Sequence, residues 1–175
     1  MIDPLLVPCP GCGGLFPDGT GPVHRYLESS PGCWAAYGEV LAREYGSPGH
    51  FAVHRLTVDA YAAQHPGQPS PQTAQSVAVH LLSLYAVLDR GLSPEAATRL
   101  IGRAVERGPY PWLVPPASRG DVTVADVVLA TSVESHARAV RAWARSAWEA
   151  WQEYHGQVVA WTETASPEAF GVRRS

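Results

Sequence analysis

Residues 72–90 read QTAQSVAVHLLSLYAVLDR, nineteen residues that are apolar almost all round when wound at 3.6 residues per turn. Val77, Leu81, Leu84 and Leu88 form one stripe, and the pattern predicts a central helix buried on most of its sides. Gly91 is its natural stop. A second stripe on this segment is polar: Thr73, Ser76, His80 and Ser83 follow one another at offsets 0, 3, 7 and 10. Polar groups on a buried helix require partners, so this stripe marks where a site would lie.

On either side the punctuation is helical. Ser30-Pro31 sets an N-cap and a first-turn proline, with Trp34, Tyr37, Val40 and Leu41 at helical spacing and a stop near Gly46. A helix follows over 51–65, ended by Pro66-Gly67, and it places His54, Val58, Tyr61 and His65 on one face. Ser93-Pro94-Glu95 opens another helix that runs to about Gly108. Residues 109–116 read PYPWLVPP, which excludes helix and predicts an extended crossing with its aromatics packed down. Thr123 caps a short helix through about Ala130. A long helix over 133–155 carries Arg138, Arg141, Arg145, Glu149 and Glu153 as its solvated ridge and buries Trp143, Trp148 and Trp151. Val158–Thr162 reads as a short strand or packed coil. The expected fold is all-α, a bundle of roughly five helices over residues 31–175, with an irregular lobe over residues 1–30 packed on it.

That lobe contains Cys9-Pro10-Gly11-Cys12-Gly13-Gly14, and the third and last cysteine of the chain is Cys33. A C-x2-C turn followed by glycine is the thiolate half of a zinc knuckle. A Pro- and Gly-rich segment has little core, and a bound metal would supply its stability. A redox pair would need a strand–helix–strand setting that is absent here. Cys33, taken alone, also reads as a small buried hydrophobe. Zinc is the expected cofactor, with ligands Cys9, Cys12, Cys33 and His24. His24 closes the shortest loop as fourth ligand; His65 or His80 would have to fold over from the bundle.

If the second and third helices face each other through their polar stripes, His54, Asp59, His65 and His80 line a cleft with Gln64 and His136 at its edge. Such a cleft would bind a small molecule, hold a second metal or supply a general base near neutral pH. The competing reading is a non-catalytic module in which zinc stabilises a surface for a protein partner. Individual histidines also read as hydrogen-bonded core groups.

Composition removes other classes. The net charge is −3, all basic charge is carried by 13 arginines, and no basic run extends beyond Arg173-Arg174, so nucleic acid is not an expected partner. The absence of lysine excludes P-loop and Schiff-base chemistry. Residues 1–8 lack the positive and apolar regions of a leader, no later apolar run approaches membrane-spanning length, and with reduced cysteines a cytoplasmic protein is expected. The segments CPGCG at 9–13, HRYLESSPGCW at 24–34, HRLTVDAYAAQHP at 54–66 and QSVAVHL at 75–81 resemble a bacterial family classified only as a domain of unknown function. That resemblance covers nearly the whole chain. It implies that the cysteines, His24 and the segment ending in His65-Pro66 belong to one constellation, and it implies no activity.

Overall fold

The computed structural model describes residues 5–167; residues 1–4 and 168–175, which include Arg173-Arg174, lie outside the described residues. The chain begins with a two-stranded antiparallel hairpin, β1 (Leu6–Pro8) and β2 (Leu15–Pro17), in the register Leu6↔Pro17, Val7↔Phe16 and Pro8↔Leu15. Sequence periodicity did not announce it, because three-residue strands rich in proline are too short to alternate visibly. Its tip is the cysteine turn, closed by Cys9 N–H to Gly14 O at 2.8 Å and Gly13 N–H to Cys9 O at 2.9 Å.

Eight helices follow among the described residues: α1 (Pro31–Tyr45), α2 (Pro48–Phe51), α3 (His54–Gln64), α4 (Pro71–Leu88), α5 (Pro94–Glu106), α6 (Val124–Val128), α7 (Val133–Ala150) and α8 (His155–Ala165). The protein is thus mostly helical, as the central stretch demands. Helix α4 packs on α3, α5, α7 and α8 at once, which is why its sequence is apolar nearly all round. Its start is held by a capping box in which Ser70 Oγ accepts from Thr73 N–H and Thr73 Oγ1 accepts from Ser70 N–H.

Three boundaries differ from the sequence reading. The helix expected over 51–65 is split, since Ser47-Pro48 starts a separate short turn of helix and Val53, at φ −108° and ψ 4°, breaks the ladder before His54. The long helix expected to reach His155 stops at Ala150, and a 3-10 turn (Gln152–Tyr154) redirects the chain. The break has a physical cause: His155 stacks on Trp148 at 3.7 Å and binds the Trp148 carbonyl at 3.0 Å, while Trp151 turns inward to donate to Ala63 O at 3.1 Å. The segment expected as strand or coil is helix α8, which buries Val158 against α4 and α5.

Residues 109–116 form no regular secondary structure, consistent with the exclusion of helix there, with Tyr110 and Leu113 buried and the Tyr110 hydroxyl donating to Ala104 O at 2.8 Å. The three buried tryptophans of α7 and its end all find acceptors: Trp143 on Gln64 Oε1 at 2.7 Å, Trp148 on Asp89 Oδ2 at 2.8 Å, and Trp151 on Ala63 O. Gln64 is a hub, because its amide also donates to Arg119 O and Val122 O at 2.9 Å each and so ties the crossing segment to the end of α3.

Removing the α4 capping box by Ser70→Ala should lower stability by about 1 kcal/mol, read as a shift in the urea midpoint without a change in slope.

Candidate metal centre

Three elements bring four candidate ligands together. The hairpin turn supplies Cys9 and Cys12. The first turn of α1 supplies Cys33, whose N–H donates to the Ser30 cap at 3.2 Å. The residue just past α3 supplies His65. One donor atom from each of these residues lies within 4.8 Å of every other, and all four residues are buried. The cysteines form no disulfide.

Three of the separations match the edges of a tetrahedral site. A zinc ion bonded to thiolates and imidazole sets sulfur–sulfur edges of about 3.8 Å and sulfur–nitrogen edges of about 3.5 Å. Here Cys12 Sγ lies 3.9 Å from Cys33 Sγ, and His65 Nε2 lies 3.5 Å from Cys9 Sγ and 3.4 Å from Cys33 Sγ. The histidine tautomer follows from its other nitrogen: Nδ1 is 2.7 Å from the Tyr61 carbonyl, which can only accept, so Nδ1 carries the proton. Nε2 therefore presents a lone pair to the sulfurs, the orientation a metal ligand requires. Tyr61 supports the ring twice, by stacking on it at 4.0 Å and by placing its hydroxyl 3.6 Å from Cys33 Sγ.

Electrostatics explain why the cluster wants a cation. Hydrogen bonds from Cys12 and Cys33 hold the Cys9 thiol far below its ordinary range, while the same sulfur contacts, together with burial, push Cys33 far above it. A dication among the sulfurs would favour the ionised form of each. The Ser30 N–H, 3.4 Å from Cys9 Sγ, adds a fixed donor. Arg119 donates to the carbonyls of Pro10 and Gly11 and brings positive charge to the knuckle. Two close approaches require glycine: a Cβ at Gly11 would strike the His65 ring and Glu28 O, and one at Gly67, already at φ +73°, would strike Tyr26 O.

His24 does not join this group. Its ring packs edge-on against Tyr26 at 4.4 Å and beside Trp34 at 5.3 Å, and its Nδ1 accepts from Tyr26 N–H at 3.4 Å. The short loop favoured His24 on entropy, but those ring contacts hold it there, and the segment around Tyr26 and Glu28 is threaded between Gly11 and Gly67 instead. His65 was legible as an alternative, standing where the chain leaves α3 before Pro66-Gly67.

The other histidines do not share one cleft. His80 Nδ1 donates to Asp59 Oδ1 at 2.7 Å, Ser83 donates to Asp59 Oδ2 at 2.5 Å, and Arg55 donates to both oxygens at 2.6 and 3.0 Å. Those donors account for His80 and Ser83 of the polar stripe on α4: they satisfy one fully buried carboxylate. Thr73, the first of the stripe, serves the cap. His54 turns to a second buried carboxylate, Glu44, at 2.7 Å, where Thr57 donates at 2.5 Å and His136 at 3.0 Å. Arg43 lies 3.4 Å from His136 Nδ1, so that nitrogen accepts and Nε2 carries the proton toward Glu44. A surface groove of about 870 Å³ lies elsewhere, lined by Asp121, Ser146, Glu149 and Tyr154 among others.

The chain is thus a helical protein built around a Cys3His group that could hold a metal ion. It belongs to a family of unknown function (DUF5946), whose model matches residues 7–152. No curated protein and no solved structure matches it.

Two outcomes follow for the site. His65→Ala should weaken metal binding by at least tenfold in a chelator competition, whereas His24→Ala should leave it within about twofold. Burial lowers the pKa of His136 below its ordinary 6.5, against the opposing pull of Glu44. The unfolded chain therefore takes up the proton first, and stability present above about pH 6.5 falls as pH drops through that value. Urea midpoints between pH 5.5 and 7.5, taken with excess zinc, should show this fall, and His136→Gln should reduce it by keeping the donor and acceptor without the titration.

Proposed function

We propose that the protein is a zinc protein in which the metal is structural and the hairpin it fastens meets a protein partner. The make-up of the centre carries this reading: four buried protein donors suffice to fill a tetrahedron around one ion, which would leave no position for water or substrate. Three thiolates and an imidazole favour zinc over harder cations. Support for a partner comes from the hairpin's outer face. Val7 and Phe16 face inward, whereas Leu6 and Leu15 are 51% and 58% exposed, and the adjoining Leu5 is 70% exposed, with Pro8 and Pro17 between them. Such a patch on a rigid, metal-pinned hairpin suits docking. Among the described residues no helix is long and apolar enough to cross a membrane.

A second reading keeps chemistry at His80. Its Nδ1 is committed to Asp59, and its Nε2 has no hydrogen-bond partner among the described residues while the side chain is 19% exposed. That is an oriented base without a pocket built around it, so it ranks second.

Elemental analysis of the tag-free protein should find one zinc per chain, and X-ray absorption should fit three sulfurs and one nitrogen. Absence of metal, or an oxygen ligand, overturns the structural-zinc reading. The double substitution Leu6→Asp and Leu15→Asp should leave zinc content unchanged and Tm within about 3 °C, since exposed sites contribute little to stability. It should also abolish partner complexes trapped by cross-linking in cells; unchanged complexes would count against the hairpin and leave the zinc intact.

A further inference from the structure

The four ligands differ in how they meet solvent. His65 and Cys33 are fully enclosed and Cys9 is 2% exposed, while Cys12 reaches 7%. Cys12 stands between Gly11 and Gly13, which carry no side chains, and Pro10 and Gly13 are exposed. Cys12 is thus the least enclosed of the four residues. Behind it, in direct contact at 3.9 Å, is Cys33 Sγ. Cys9 Sγ is engaged on its other sides by Ser30 N–H and His65 Nε2.

Resting on the zinc reading above, we propose that the Cys3His centre is a peroxide-sensitive clamp in which oxidation joins Cys12 to Cys33 and expels the metal. The chemistry balances within the named groups. The Cys12 thiolate attacks one peroxide oxygen, the O–O bond breaks, and a sulfenic acid and hydroxide form. The Cys33 thiolate then attacks the Cys12 sulfur, the S–S bond forms, the S–O bond breaks, and a second hydroxide leaves. Two electrons pass from the two sulfurs to the peroxide. The zinc keeps only Cys9 and His65 and dissociates.

The structural consequence follows from which elements each ligand holds. Zinc ties three elements together: the hairpin, the first turn of α1 and the end of α3. A Cys12–Cys33 disulfide ties only the first two. His65 loses its metal bond, and the end of α3 is left linked to the hairpin through Gln64 and Arg119.

The experiment uses the full chain with its zinc quantified beforehand, exposed to a tenfold excess of hydrogen peroxide beside a chromogenic zinc chelator. The expected result is release of one zinc per chain, a Cys12–Cys33 disulfide by peptide mass mapping, and recovery of the zinc form after a thiol reductant and added zinc. Retention of zinc under peroxide overturns the clamp. So does release accompanied by a Cys9–Cys12 bridge, or by sulfinic and sulfonic acids alone. A chain that carries no zinc before oxidation overturns the underlying zinc reading instead. Because the bond is mapped in the wild-type chain, no variant that fails to fold enters the result.

Discussion

One hydrogen bond sets the centre: the Nδ1–H of His65 donating to the carbonyl of Tyr61, one turn back along α3. A histidine can offer a metal only the nitrogen that does not carry its proton, and that choice is made by what the other nitrogen touches. With Nδ1 committed, Nε2 faces the three sulfurs, and Tyr61 braces both sides of the contact through its ring and its hydroxyl. The hairpin brings Cys9 and Cys12, and the first turn of α1 brings Cys33, to that nitrogen at the exit of α3. Glycine at position 11 and at position 67 removes the side chains that would block this convergence.

Away from the centre, the polar interior is organised around two carboxylates. Asp59 and Glu44 are each fully buried, and each is surrounded by donors from more than one helix. Removing a partner from such a group leaves an uncompensated charge, so these networks fix how α1, α3, α4 and α7 can pack. They also account for the histidines at 54, 80 and 136. Their common cause is the need of a buried charge for donors, which places His80 with one carboxylate and His54 and His136 with the other.

The helices were legible where local chemistry decides. Ser30-Pro31 and Ser93-Pro94 each open a helix, and each serine accepts from the N–H three residues on. Boundaries that depend on distant partners were not legible. The stop at Ala150 rests on His155 and on the inward turn of Trp151, and nothing near Glu149 in sequence announces either. The hairpin was hidden because its strands hold three residues each and are pinned by the turn between them.

The sequence by itself determined that the chain is helical over about 72–90 and that Cys9, Cys12 and Cys33 form three parts of a thiolate set, because turn chemistry, caps and spacing are local. Only the tertiary structure decided that His65, not His24, completes the set, and that the remaining histidines answer to Asp59 and Glu44. The reason is physical: loop entropy favours a ligand close in sequence, but ligand choice depends on where the packed bundle delivers an oriented lone pair, and α3 delivers His65 with its proton already committed elsewhere.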